Sequence, residues 1–98
     1  MVHAFERDGN ALTVRLQGRL DIKSSPELEA ELMPQLEGVS SLAIDLAQVD
    51  YVSSMGLRLL LALQKRMTKQ GDMRVVNVAD SVMELFDETG FSDILTIS

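Results

Sequence analysis

The chain has 98 residues, with 46% apolar and 24% charged side chains, which suits one folded domain with one core and rules out a disordered tail. It has no Cys and a single His, His3, so disulfide frameworks, thiol chemistry, Cys-ligated zinc and His-rich metal or triad sites are excluded. Nine basic residues against fifteen acidic ones leave a net charge of -6, the wrong sign for a general binder of nucleic acid or anionic membranes.

Val2–Arg7 reads as a first strand. Asp8-Gly9-Asn10 supplies hairpin-turn chemistry. Ala11–Gln17 then alternates, with Leu12, Val14 and Leu16 on one side and Thr13, Arg15 and Gln17 on the other. That pattern predicts a half-buried strand antiparallel to the first. Met1–Asn10 carries charged residues and no apolar stretch of the signal-peptide kind, and the longest apolar run, Leu59–Leu63, is far short of the roughly 20 residues of a membrane helix. The expected location is the cytoplasm, with no direct membrane insertion.

Gly18–Lys23 reads as a loop. Ser24 and Glu27 fit a capping box at the start of a helix, and Pro26 suits its first turn. Leu28, Leu32 and Leu36 form a buried stripe, with Glu27, Glu29 and Glu31 facing water. Pro34 predicts a kink or an end to this helix. Ser41–Leu46 is a short apolar strand. Ser54–Gln70 is the strongest helix, with Leu57, Leu60, Leu61, Leu63 and Met67 inward, and Gly71 reads as its C-terminal stop. Met73–Val78 is a strand and Asp80–Thr89 a helix with Val82, Leu85 and Phe86 inward, closed by Gly90. Ile94–Ile97 is a last short strand.

The predicted order is ββαβαβαβ: an α/β fold in which an N-terminal β-hairpin is followed by βαβ repeats. Right-handed crossovers between neighbouring parallel strands put all helices on one face of a mostly parallel sheet. The polar side of Ala11–Gln17 fits an open opposite face. No linker or repeat divides the chain, so residues 1–98 are expected to form a single domain.

The informative stretch is Asp45-Leu46-Ala47-Gln48-Val49-Asp50-Tyr51-Val52-Ser53-Ser54-Met55-Gly56-Leu57. A strand ends, a loop follows, and paired serines stand where the longest helix begins. A Ser there can simply cap the helix. It can equally be a modifiable or anion-contacting hydroxyl, because a helix N-terminus tolerates negative charge. Gly56 in the first turn allows another backbone to come close. Asp45 and Asp50 could be imagined as an acid–base pair, but a strand-end and a turn carboxylate are the plainer reading. Asp21 reads as a loop or capping carboxylate. Arg58 reads as part of a solvated basic face with Lys65 and Lys69, or as a contact for a partner. Met67 and Met83 fill or flank the core, and Met55 is a candidate contact residue. His3 reads as a polar strand residue, and Glu84, Asp87 and Glu88 as a solvated acidic face. A serine hydrolase is disfavoured, since no base accompanies Ser53 or Ser54 and no Gly-x-Ser-x-Gly elbow is present.

Several pieces together resemble the STAS domain (sulphate transporter and anti-sigma factor antagonist), specifically stand-alone bacterial anti-sigma factor antagonists. These are Gly18-Arg19-Leu20-Asp21 ahead of Pro26-Glu27-Leu28, Asp45-Leu46, the run Val49–Arg58, Gly71, Val75-Val76-Asn77-Val78, and Val82–Phe86 followed by Thr89-Gly90-Phe91. The resemblance covers nearly the whole chain. It implies a regulatory binding module with no catalytic residue, metal or cofactor of its own. The implied partners are an anti-sigma factor that is also a serine kinase with a GHKL-type ATP site, and a PP2C-type serine phosphatase. Phosphorylation by the kinase weakens the complex and the phosphatase restores it.

In the family pattern the modified Ser stands two residues before the Gly, which is Ser54 here, with Ser53 as the adjacent alternative. Ser53 holds a place where Asp is common, and Met55 the place of a small residue. The resemblance implies partner binding by Asp21, Ser53, Ser54, Met55, Gly56 and Arg58. It also admits another reading, a STAS accessory subunit of a membrane transporter or sensory complex without reversible phosphorylation. Many relatives carry one more C-terminal helix than the residues up to Ser98 supply.

Overall fold

In the computed structural model, which describes residues 2–97, β1 (Val2–Asp8) and β2 (Ala11–Leu20) form the expected antiparallel hairpin. Asp8 pairs with Ala11, and Gly9 at φ 63° supplies the positive φ of the two-residue turn. The order continues with α1 (Ser24–Leu32), a 3₁₀ turn over Met33–Leu36, β3 (Ser41–Val52), α2 (Ser54–Thr68), β4 (Asp72–Val76), α3 (Asp80–Thr89) and a 3₁₀ turn over Phe91–Asp93.

The strands lie in the order β1-β2-β3-β4, with β2, β3 and β4 parallel. Each crossover therefore joins neighbours, and its helix returns over the same face. Registration builds apolar rows on that face: Leu12, Leu42 and Met73 align, as do Val14, Ile44 and Val75. All six are buried, together with Leu28, Leu32 and Leu36 after β2, Leu57, Leu60, Leu63 and Met67 of α2, and Val82 and Phe86 of α3. The opposite face carries polar rows. There Arg15 lies 2.7 Å from Glu6 and 3.9 Å from Asp45 across adjacent strands.

Several sequence expectations need correction. First, β2 and β3 run on past Gln17 and Leu46 to Leu20 and Val52. Register shifts between Arg15 and Gln17 and between Gly18 and Arg19 break the alternation there, so a period-two pattern stops short.

Second, Ser24 and Glu27 form no capping box. Lys23 holds the N-cap position without a side-chain bond, and Ser24, already helical, turns its hydroxyl back to the Arg19 carbonyl at 2.6 Å. α1 stops before Pro34 as expected, giving way to the 3₁₀ turn.

Third, Gly71 is not a left-handed helix stop, since it is absent from the positive-φ positions. Glycine stands there because a Cβ would lie 1.9 Å from the Ser40 carbonyl oxygen. α2 ends at Thr68, short of the expected Gln70, where the Lys69 and Gln70 N–H groups turn to the carbonyls three residues back, on Arg66 and Met67; within it Leu59 is buried as well, and Leu61 only half-buried. β4 ends at Val76, short of Val78, where Asn77 turns the chain at φ 55°.

Fourth, the predicted strand Ile94–Ile97 shrinks to one parallel bridge between Val75 and Ile97, with the Val75 N–H donating to Thr96 O at 2.8 Å. The N–H groups of Ile94 and Leu95 are already spent on the Phe91 carbonyl, so they cannot join a ladder. α3 has the expected bounds, with Leu85 half-buried and Gly90 in the left-handed region. No helix of the described residues is long and apolar enough to cross a membrane.

Candidate functional site

β2 and β3 run parallel and end side by side, with Leu20 opposite Val52. The segments that follow them, Asp21–Lys23 and Ser53–Gly56, therefore emerge together. They are also bonded: the Ser53 N–H donates to the Leu20 carbonyl at 2.8 Å. Gly56 is buried where α2 crosses this junction. A Cβ on it would sit 2.7 Å from the same Leu20 oxygen and 2.9 Å from Leu20 Cγ and Val52 Cγ1. Close backbone approach, expected from the sequence, is thus the reason for glycine.

The two serines are not equivalent. Ser53 is the N-cap of α2, with extended backbone, and its hydroxyl accepts the Gly56 N–H at 3.3 Å. Ser54 is the first helical residue and stands exposed. Ser53 thus does the capping, and Ser54 presents its side chain to solvent. Met55 is half-buried and Arg58 exposed. Both line a groove of about 390 Å³ between α1 and α2, with Ser25, Pro26, Glu29, Leu59 and Ala62.

Asp21 organises its own loop. Its carboxylate accepts the N–H groups of Lys23 and Ser24, each at 3.0 Å, and lies 3.1 Å from Ser24 Oγ. The Ser24 hydroxyl in turn receives the Asp21 N–H at 2.9 Å. The Ser24 N–H holds the Asp21 carboxyl below the ordinary value of 3.8, helped by the Ser24 hydroxyl, the Lys23 N–H and the charge of Arg19 and opposed by desolvation. The geometry brings all six expected site residues, Asp21, Ser53, Ser54, Met55, Gly56 and Arg58, to one end of the molecule.

Other candidates resolve differently. The Asp45 carboxylate accepts the Ala47 N–H at 2.9 Å on the open sheet face, a structural bond at a bulge and not half of an acid–base pair. His3 is more than a polar strand residue: its imidazole is paired with Glu31 of α1, ring to ring against Phe5 at 5.1 Å between centroids. Among the described residues no group of three or more His, Asp or Glu could hold a metal ion.

Sequence reasoning passed over two exposed apolar side chains at the site. Ile22 is 73% exposed, and Tyr51, with the Arg19 guanidinium 4.3 Å from its ring centroid, is 41% exposed. The available signal for Ile22 was its placing, an apolar residue between Asp21 and Lys23 in a loop otherwise polar up to the helix.

Comparison with known proteins agrees with this architecture. The anti-sigma-B factor antagonist of Bacillus subtilis is 34% identical over 94 residues, covering 95% of this chain and 86% of that protein. An anti-sigma factor antagonist from Mycobacterium paratuberculosis superposes with a TM-score of 0.87 at 23% identity, over 98% of this chain and 83% of the other. The Bacillus cell fate determinant SpoIIAA in its phosphorylated form gives 0.76 at 16% identity, over 99% of this chain and 91% of the other. Those two superpositions speak to the fold alone. The STAS domain family matches residues 3–98, and with a relative above 30% identity across nearly the full length the chain belongs to that family.

Proposed function

We propose that the chain is an anti-sigma factor antagonist. Its unphosphorylated form binds an anti-sigma factor that is also a GHKL-type serine kinase, and so frees a sigma factor. Phosphorylation of Ser54 ends the binding, and a PP2C-type phosphatase resets it. In this reading the chain is one STAS domain acting in the cytoplasm, and it works by being bound and modified rather than by catalysis.

The observation that supports this best is the division of labour between the serines. Ser53 is committed to capping α2, whereas Ser54 is exposed beside it. A phosphate on Ser54 adds about -1.5 to -2 charges and three acceptor oxygens. In open solvent at a helix N-terminus that charge is well tolerated. Inside a packed interface it brings desolvation cost and clash, and about 3 kcal/mol is already more than a hundredfold in affinity. Asp21, Met55 and Arg58 lie beside the modified position and supply the rest of the contact surface, whereas Gly56, expected as a contact, is buried against Leu20 and Val52 and only sets how closely α2 meets the sheet.

The test is mass spectrometry after incubation with ATP and the kinase-type anti-sigma factor of the same genome. Phosphate is expected on Ser54, and Ser54→Ala should abolish it while still binding the kinase. Phosphate on Ser53 would move the assignment, and phosphate on neither would overturn the reading.

A further inference from the structure

An exposed isoleucine by itself needs no explanation, since much of any protein surface is apolar. Ile22 differs in how it is held. Both of its neighbours are fixed: the Asp21 carboxylate binds the Lys23 and Ser24 N–H groups, and the Ser24 hydroxyl bridges the Arg19 carbonyl and the Asp21 N–H. The Ser25 N–H adds a bond to the Asp21 carbonyl at 2.9 Å. The loop thus spends its polar groups on itself and holds an apolar side chain out, 73% exposed.

This loop is also continuous with the switch turn through the Ser53–Leu20 hydrogen bond. A few residues further on, Ser25 and Pro26 open the α1–α2 groove, which Met55 joins from the switch side. Ser25 lies beneath that groove, 2% exposed and with its hydroxyl oxygen closed off from solvent, so what the groove presents to a docking protein is Pro26, Met55 and Arg58.

We infer that Ile22 is the apolar anchor of the docking surface, seated in an apolar pocket of the anti-sigma factor, with the neighbouring α1–α2 groove covered by the same partner. The inference rests on the proposed antagonist function and adds a residue that determines partner choice. Prepaid ordering of the loop means that seating Ile22 costs little conformational entropy. Seated in a pocket and ringed by the polar groups of its loop, Ile22 would be a side chain from which water is excluded, the setting in which a few residues carry most of the binding energy. Ser54 at the edge of this anchor places a phosphate where the partner must close down.

The experiment is calorimetric titration of the wild-type chain, Ile22→Ala, Ile94→Ala and Ser54→Asp against the kinase-type anti-sigma factor of the same genome. Ile94 is the control, 50% exposed but beyond the C-terminal end of α3. Ile22→Ala should weaken binding about tenfold or more with an unchanged melting temperature, and Ile94→Ala should bind like wild type. Wild-type affinity in Ile22→Ala, with Ser54→Asp still weakened, would overturn the anchor and leave the switch standing. Equal losses in Ile22→Ala and Ile94→Ala would also overturn it. If the free chain self-associates and Ile22→Ala abolishes only that, the surface belongs to a second copy and the inference fails. No binding by the wild-type chain would remove the antagonist reading itself, and the anchor with it.

Discussion

The Ser53 N–H donates to the Leu20 carbonyl at 2.8 Å, and this bond makes the ends of two parallel strands into one platform. The loop with Asp21 and Ile22 leaves from one side of it, and the turn with Ser54 from the other. A charge placed on Ser54 is therefore presented from a surface whose other half is already fixed by the Asp21 bonds.

Gly56→Ala tests the tightness of that platform. Alanine is the better helix former by about 1 kcal/mol. Here its Cβ would lie 2.7 Å from the Leu20 oxygen, a backbone atom held by Ser53. Overpacking of this kind costs about 1–3 kcal/mol, so the net effect should be a loss of stability. A drop in Tm of several degrees is expected, and a Tm at or above wild type would contradict the packing argument.

The serines separate in a stability measurement. Ser53→Ala removes a helix cap and should cost about 1 kcal/mol in urea unfolding. Ser54→Ala removes an exposed hydroxyl and should stay within about 0.5 kcal/mol of wild type. Reversed magnitudes would mean that Ser54, not Ser53, does the capping.

The order of elements up to α3 was legible because it is written in local pattern. Leu12, Val14 and Leu16 alternate, Leu57, Leu60, Leu63 and Met67 follow a helical period, and Pro34 and Gly90 punctuate. What escaped depends on contacts between distant residues. The outer half of β3 is held by β2 across two register shifts, the Gly71 requirement comes from Ser40, and Ser24 turns away from its helix toward Arg19. The site was legible around Ser54 through a motif. Ile22 carries no motif, and its interest appears only when the loop is seen to be fixed around it.

Asp21 gives the fold a pH dependence with a definite sign. Its folded-state carboxyl titrates below the ordinary 3.8 because the charged form accepts hydrogen bonds from Ser24 and Lys23. A depressed folded value means stabilisation that is fully present above the unfolded pKa and lost as pH falls through the folded one. Melting curves of wild type and Asp21→Asn should therefore differ by a constant margin from neutral pH down to about pH 4, and converge below it. A margin that persists unchanged to pH 2, or that is absent at pH 7, would show that the carboxylate charge does not hold this loop.

Ser54→Asp separates a binding switch from a folding switch. The first turn of α2 has no acidic residue, so a carboxylate there meets an uncompensated helix dipole and should stabilise by about 0.3–1 kcal/mol. Arg58 lies one turn on, at the i+4 spacing that adds a few tenths more. The variant should melt at or a few degrees above wild type, while its affinity for the anti-sigma factor falls. Lower affinity with a higher Tm has only one reading: the charge is welcome on the free helix and unwelcome under the partner. If Ser54→Asp instead lost affinity in proportion to lost stability, the negative charge would be acting by loosening α2, and the rigid platform between Leu20 and Ser53 would not be what the switch depends on.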